Sequence, residues 1–499
     1  MKTMMKKTLQ VVLVVAIGAG FLRLLAQTCV TSTKAFTENF STTTYKDLNP
    51  GVNSVAQWPS GPIQLNRLGA NFTLAAPQGL GAYIYSAGPG DFNGDGYLDL
   101  VGLKLTGTSS RQDTSQLELI WNTYKSTNGK TNFTLDPVTD KTPIEAFTAY
   151  IGPAAIVVGD FNGDGLLDFF FMRNGADQFG YTNFLACMYI NCGTKAAPKF
   201  YPHTDSHNLD FTSAFQNAKD SKGVAGIFIN WSANHLCAVD IDNDGDIDLL
   251  VASQDKIWLV RNPGTASVSG KPAWQTIANW SVAELSYNQR TGFTGTSGSG
   301  TNYPDGYADH GTSCISAADF NNDGNIEIIC GTVNSANYLA YYSNDGKGHF
   351  TFYKILISDS RCYGPTGIAV ADYNNDGRPD IFLSGDGWNT ANQQGYMWIL
   401  LNQGPSGSVV NWLFQCLNNC AKYPWGNDDD MVLPIDYNND GAVDIILCDA
   451  NDSGNYYIVV NSIADIFTIY GQAQSTNIVA GVLDPEQYAV TSVRITSLW

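Results

Sequence analysis

The sequence predicts an all-β fold, a β-propeller of seven four-stranded antiparallel blades with calcium-binding hairpin loops, with six blades as the alternative. Three observations lead there. A nine-residue acidic loop recurs six times along the 499 residues. Each copy is bracketed by short apolar runs rich in branched residues. Gly reaches 49 and Tyr 25 while charged residues make up only 15%, which suits short strands and turns better than long amphipathic helices.

The loop copies read DFNGDGYLD at 91–99, DFNGDGLLD at 160–168, DIDNDGDID at 240–248, DFNNDGNIE at 319–327, DYNNDGRPD at 372–380 and DYNNDGAVD at 436–444. Side-chain oxygens fall at loop positions 1, 3, 5 and 9, and Gly is always at 6. Calcium is a hard cation that takes six to eight oxygens at roughly 2.3–2.6 Å. Alternate residues of a tight loop point inward, Gly at 6 permits the sharp turn, the carbonyl at 7 faces the ion and the carboxylate at 9 closes the cage. The expected ligands are therefore Asp91, Asn93, Asp95, Tyr97 and Asp99 in loop one, and Asp160, Asn162, Asp164, Leu166 and Asp168 in loop two. Loop three offers Asp240, Asp242, Asp244, Asp246 and Asp248, and loop four Asp319, Asn321, Asp323, Asn325 and Glu327. Loop five offers Asp372, Asn374, Asp376, Arg378 and Asp380, and loop six Asp436, Asn438, Asp440, Ala442 and Asp444. About six Ca2+ ions are expected, one for each copy.

EF-hands share the opening of this pattern but require a bidentate Glu at position 12 and a helix on either side. Position 12 here holds Gly102, Phe171, Val251, Cys330, Leu383 and Leu447. The runs after the loops (LVGL, FFFM, LLVA, IICG, IFLS, IILC) and before them (AAIVVG, HLCAV, CISAA, GIAVA) read as buried strands. EF-hands are excluded, and each loop joins two strands of a hairpin. A third strand follows in LELIWN, IWLVRN, YLAYYSN, YMWILLN and YYIVVN, several ending in Asn before a polar, Gly-containing turn. A fourth begins near an aromatic residue in NFTLD, GHFTFYKI and NWLFQC, completing a blade.

Loop starts are spaced 69, 80, 79, 53 and 64 residues apart, a mean of 69. Residues 1–26 read as a secretory signal peptide, with Lys2, Lys6 and Lys7 ahead of an apolar run from Leu9 to Ala19 and a cleavage site after Ala26; an uncleaved anchor is the alternative. The remaining 473 residues, read as one propeller domain over 27–499, divide into 6.9 units. That favours seven blades, the seventh lacking an acidic loop and closed by strands from 30–85 and 460–499. No second apolar run is long enough to span a bilayer.

These loops and strands resemble the FG-GAP and VCBS repeat family, the blade type of integrin alpha-subunit propellers. The resemblance covers nearly the whole mature chain. It implies calcium at the loops, a place outside the cell or on its surface, and a ligand face opposite the loops. Glu327 in place of Asp, and the extra acid Asp246, depart from the family pattern.

Net charge is −19, and 20 of the 46 acids sit in the six loops. The acidity is largely a metal-site signature, and it argues against nucleic acid, which needs a basic face. Ten cysteines in an exported chain suggest disulfides. Cys187 with Cys192, Cys416 with Cys420, and Cys314 with Cys330 across one hairpin are the candidate pairs, while Cys237 and Cys448 read as small buried residues. Six glycosylation sequons, at Asn39, Asn71, Asn132, Asn230, Asn279 and Asn451, decide nothing in a chain so rich in Asn, Ser and Thr. His203 and His207 have a metal-like spacing without the Glu of a zinc protease, and no nucleophile elbow occurs.

An enzyme is therefore not expected. The loops 172–183, 287–313, 360–367, 385–395 and 416–430 supply candidate ligand-face residues Phe179, Tyr181, Tyr303, Arg361, Tyr363, Trp388 and Trp425. Exposed aromatics among amides suit sugar stacking or a protein hot spot. An adhesion or recognition module for an extracellular glycan or protein leads. A structural component of an extracellular assembly and a calcium-dependent polysaccharide lyase or glycosidase are the alternatives.

Overall fold

The computed structural model describes residues 72–74, 78–79, 83–105, 115–124, 133–135, 143–147, 154–173, 184–221, 235–253, 256–285, 312–332, 338–346, 349–356, 365–385, 396–406, 409–416, 431–439, 441–448 and 455–461. Short paired segments at 14–17, 20–23, 44–46, 55–57, 287–288, 466–467 and 493–494, and a few residues between 223 and 229, are described as well. Residues 72–373 and 378–461 form one unit, and 1–71, 374–377 and 462–499 gather in another. Of the signal peptide expected at 1–26, residues 14–17 and 20–23 are described, as two short paired strands, and the rest lies outside the described residues. No helix among the described residues is long and apolar enough to cross a membrane.

Blade 1 consists of strands Tyr83–Gly90, Asp99–Leu105, Ser115–Asn122 and Phe133–Leu135, with Glu145–Phe147 also paired on the third. Blade 2 runs Ala154–Gly159, Asp168–Arg173, Leu185–Tyr189 and Leu209–Asp210, and blade 3 runs Leu236–Val239, Asp248–Ser253, Lys256–Arg261 and Ser281–Glu284. Blade 4 holds Thr312–Ala318, Glu327–Thr332, Tyr338–Asn344 and Phe350–Leu356, with Tyr287–Asn288 added at its edge, and blade 5 holds Pro365–Ala371, Asp380–Gly385, Tyr396–Ser406 and Val409–Cys416. Blade 6 takes three strands, Met431–Ile435, Asp444–Cys448 and Asn455–Asn461, from the end of the chain and its outer strand, Phe72–Leu74, from the beginning.

The ring has six blades, not seven. First strands neighbour each other in sequence from blade 1 to blade 6, and that of blade 6 returns to Tyr83–Gly90. The division by 69 overcounted, as the described segments within 27–71 and 462–499 supply no strand to the six blades. Closure does use both ends of the chain, but it completes a blade that carries an acidic loop.

Second strands read as unbroken apolar runs because both faces of a blade are covered by its neighbours. Asp248–Ser253 is buried at every residue. The outer strand Ser281–Glu284 instead alternates exposed and half-buried. The core is a series of layers between blades. Phe169, Phe171 and Tyr189 of blade 2 meet Val101 and Leu103 of blade 1, and Trp398 of blade 5 packs with Ile329 and Tyr341 of blade 4.

The cysteine pairing expected across the fourth loop does not form. Cys314 stands opposite Gly331 and Cys330 opposite Ile315, one step out of register. Successive strand residues face opposite ways, so Cys314 joins the layer towards blade 5 and Cys330 the layer towards blade 3. Cys187, Cys192, Cys237, Cys314 and Cys330 form no disulfide. Cys237, expected to be buried, is half-buried against an apolar layer.

Candidate functional site

Each acidic loop joins the first and second strands of its blade. Position 1 is half-buried, position 2 is buried, the glycine at 6 is largely exposed, and position 9 is buried where the second strand begins. Two residues per loop take left-handed backbone. Gly96, Gly165, Gly245, Gly324, Gly377 and Gly441 at position 6 have φ between 81° and 94°. Position 4 does the same with Gly94, Gly163, Asn243, Asn322, Asn375 and Asn439, at φ from 53° to 72°. Gly and Asn are the residues that tolerate this region.

That double reversal curls the backbone round its own side chains. In loop one Asp91 accepts the N–H groups of Asp95 (3.0 Å) and Gly96 (3.1 Å), and Asp95 accepts that of Tyr97 (2.9 Å). Loops two, three and four repeat all three bonds. Loop six keeps the bond from Gly441 to Asp436 at 2.9 Å. A carboxylate oxygen that accepts one hydrogen bond still has a lone pair for a cation.

Position 9 ties the loop to the blade. Asp99, Asp168, Asp248, Asp380 and Asp444 each accept, through Oδ1, the backbone N–H of the Asn that ends the third strand, at 2.7–2.8 Å. In loops two, three and five Oδ2 also takes the position 2 N–H at 3.0–3.2 Å. Glu327 behaves differently. One methylene longer, it folds back onto Phe320 N–H (3.0 Å) and onto Asn321, whose side-chain amide donates to it at 3.0 Å.

Burial first, and then the neighbouring loop acids, push these carboxyls upward. Asp99 and Asp248 rise to about 7, and Asp168 and Glu327 to about 8. None of these four is ion-paired among the described residues. Uncompensated charge at such depth is costly.

The donor set fits calcium. Asp240, Asp242 and Asp244 place carboxylate oxygens within 4.8 Å of one another. Asp99 Oδ2 and Asn321 Oδ1 are buried and accept no hydrogen bond, which is what an oxygen reserved for a cation looks like. The oxygens come from carboxylates, amides and the backbone, a hard donor set.

The family model for the FG-GAP-like repeat matches residues 91–171, 240–330 and 319–383. These stretches are similar to FG-GAP-like repeats. The matches take in loops one to five, and loop six repeats their geometry where it is described. Among curated proteins nothing matches. Solved structures similar to the chain include an Agrocybe aegerita lectin that recognises non-reducing terminal N-acetylglucosamine, at 17% identity and TM-score 0.37 over 81% of this chain and 83% of that one. The Photorhabdus luminescens Tc holotoxin pore follows at 14% identity and TM-score 0.38, over 81% of this chain but only 15% of the other. AofleA from Arthrobotrys oligospora has 9% identity and TM-score 0.39, over 79% and 87%.

The residues that sequence reasoning missed in these blades are the third-strand asparagines. Asn122, Asn191, Asn262, Asn344, Asn402 and Asn461 are all buried. Each donates its side-chain amide to the position 8 carbonyl of its own loop. The repeated Asn before a turn was visible, but not its target. The proposed ligand-face residues Phe179, Tyr181, Tyr303, Arg361, Tyr363, Trp388 and Trp425 all lie outside the described residues. Each of the histidines spaced like metal ligands leans on its own acid, with Nδ1 of His203 against Glu145 and that of His207 against Asp205.

Proposed function

We propose that this FG-GAP propeller is a calcium-binding protein, secreted or held at the cell surface, that acts as an adhesion or recognition module for a glycan or protein ligand. The observation that carries the calcium reading is the convergence of the Asp240, Asp242 and Asp244 carboxylates, in a loop whose position 9 acid is buried without an ion pair. A divalent cation in each loop compensates that buried charge. It also holds the start of the second strand against the end of the third.

Binding rather than catalysis is favoured because 20 of 46 acids belong to the loops, leaving them structural work. The ends of the blades away from the loops are left to present a ligand. Metal analysis and a glycan array, each with and without calcium, test the two halves separately. Bound calcium with calcium-dependent glycan retention supports the whole reading. Bound calcium with no retained ligand favours the structural component, and product release from an acidic polysaccharide favours an enzyme. A purified chain that holds no calcium at millimolar supply removes the reading.

A further inference from the structure

The third-strand asparagines also cross between blades. Asn262 Nδ2 of blade 3 donates to the carbonyl of Phe161, position 2 of loop two, at 2.7 Å. Asn402 reaches Phe320 of loop four at 2.7 Å, and Asn461 reaches Tyr373 of loop five at 2.9 Å. Asn122 reaches Tyr437 of loop six at 2.9 Å, where the ring closes. In each case the same asparagine's backbone N–H holds the position 9 carboxylate of its own loop. One buried residue therefore grips the preceding loop's backbone with its amide and the next loop's closing acid with its N–H.

Two junctions lack this arrangement. Asn191 donates to Leu167 of its own loop at 3.3 Å and makes no bond to loop one among the described contacts. There Glu145 of blade 1 instead accepts the Tyr189 hydroxyl of blade 2. At the junction of blades 3 and 4, Asn344 reaches Ile241 only at 3.4 Å, and Glu327 is held by its own loop.

We propose that Asn122, Asn262, Asn402 and Asn461 are positioning residues that pass the occupancy of one loop to the closing carboxylate of the next. Metal binding is then cooperative within two series, loops two and three, and loops four, five, six and one. It is independent between loops one and two. A metal in one loop fixes its position 2 backbone, and in a dry interior that constraint is transmitted through short hydrogen bonds. The inference rests on the calcium reading of the loops.

The test uses the full chain and terbium(III) as the luminescent stand-in for calcium. Tyr97 at position 7 sensitises the ion in loop one, so the emission component removed by Tyr97→Phe reports that loop alone. Asp436→Asn weakens loop six and is expected to lower terbium affinity at loop one by about fivefold. Asp160→Asn weakens loop two and is expected to change it by less than about twofold, since independent sites carry no coupling. Asn122→Ala, or Asn122→Gln if the alanine variant does not fold by circular dichroism, is expected to abolish the effect of Asp436→Asn. A loop-one affinity indifferent to Asp436→Asn overturns the proposal, as does coupling that survives both Asn122 variants. Absence of any terbium or calcium binding instead brings down the calcium reading itself, and this outcome is distinct from bound but uncoupled metal.

Discussion

Loops three and four differ by one methylene at their closing acid, and that changes what the acid holds. Asp248 links its own loop to the end of the third strand, taking the Asn262 N–H at 2.7 Å and the Ile241 N–H at 3.2 Å. Glu327 spends both oxygens on Phe320 and Asn321 of its own loop. The closing acid of loop three is thereby fastened to the third strand of its own blade, while that of loop four holds only its own loop. Loop three also carries five acids to loop four's three, so it has more charge to compensate and a firmer frame to do it with.

The largest expected effect removes the contrast altogether. With free calcium at ten times the dissociation constant, six sites contribute about 8 kcal/mol by mass action. Excess EDTA is then expected to lower the melting temperature by about 10 °C in scanning calorimetry. An unchanged transition would show that neither loop needs a cation.

Truncating the closing acids separates the two loops. Asp248→Ala leaves two buried N–H groups, one in the loop and one at the end of the third strand, without acceptors and is expected to cost about 3 kcal/mol in denaturant unfolding. Glu327→Ala disturbs one loop only and is expected to cost about half as much. Equal losses would mean that the bridge to the third strand contributes nothing.

Metal-free protein adds a pH signature. Asp248 and Glu327 have folded values above their unfolded ones, about 7 and about 8. Their contribution is present in full below about 4, the unfolded range of carboxyls, and is lost as pH rises through 7 to 8. The chelated protein is therefore expected to be more stable at pH 5.5 than at pH 8.5, as about pH 7–8 lies between them. Asp248→Asn should flatten the lower part of that fall and Glu327→Gln the upper part. A chelated protein equally stable at both pH values contradicts the burial argument.

The smallest effect sharpens the comparison from the other side. Glu327→Asp restores the shorter side chain and is expected to gain one bond to the Asn344 N–H, about 1 kcal/mol in denaturant unfolding. No gain would mean that the detour in loop four comes from its backbone and not from its side chain.

The hairpins and their acids were legible because each lies within one short stretch, where spacing and strand pattern suffice. Gly at position 6 announced a reversal, but the matching one at position 4 did not, because Asn stands there in four loops and Gly in only two. Blade number was not legible, since nothing local distinguishes the chain before Phe72 or after Asn461 from blade sequence. The asparagines escaped for a related reason. Asn122 bonds to Tyr437, a partner that only ring closure brings near. The exchange of faces between Cys314 and Cys330 depended on a single step of register, which the spacing of the two residues does not reveal.

The outer strand of blade 6 comes from Phe72–Leu74 and its neighbour from Asn455–Asn461. A nascent chain therefore emerges with its first strand lacking a partner until the last blade has been synthesised. Five blades can assemble in order, but the final latch must wait until Asn455–Asn461 has been synthesised. Any premature stop before residue 455 leaves an open arc with a bare sheet edge, the sort of edge that recruits other strands.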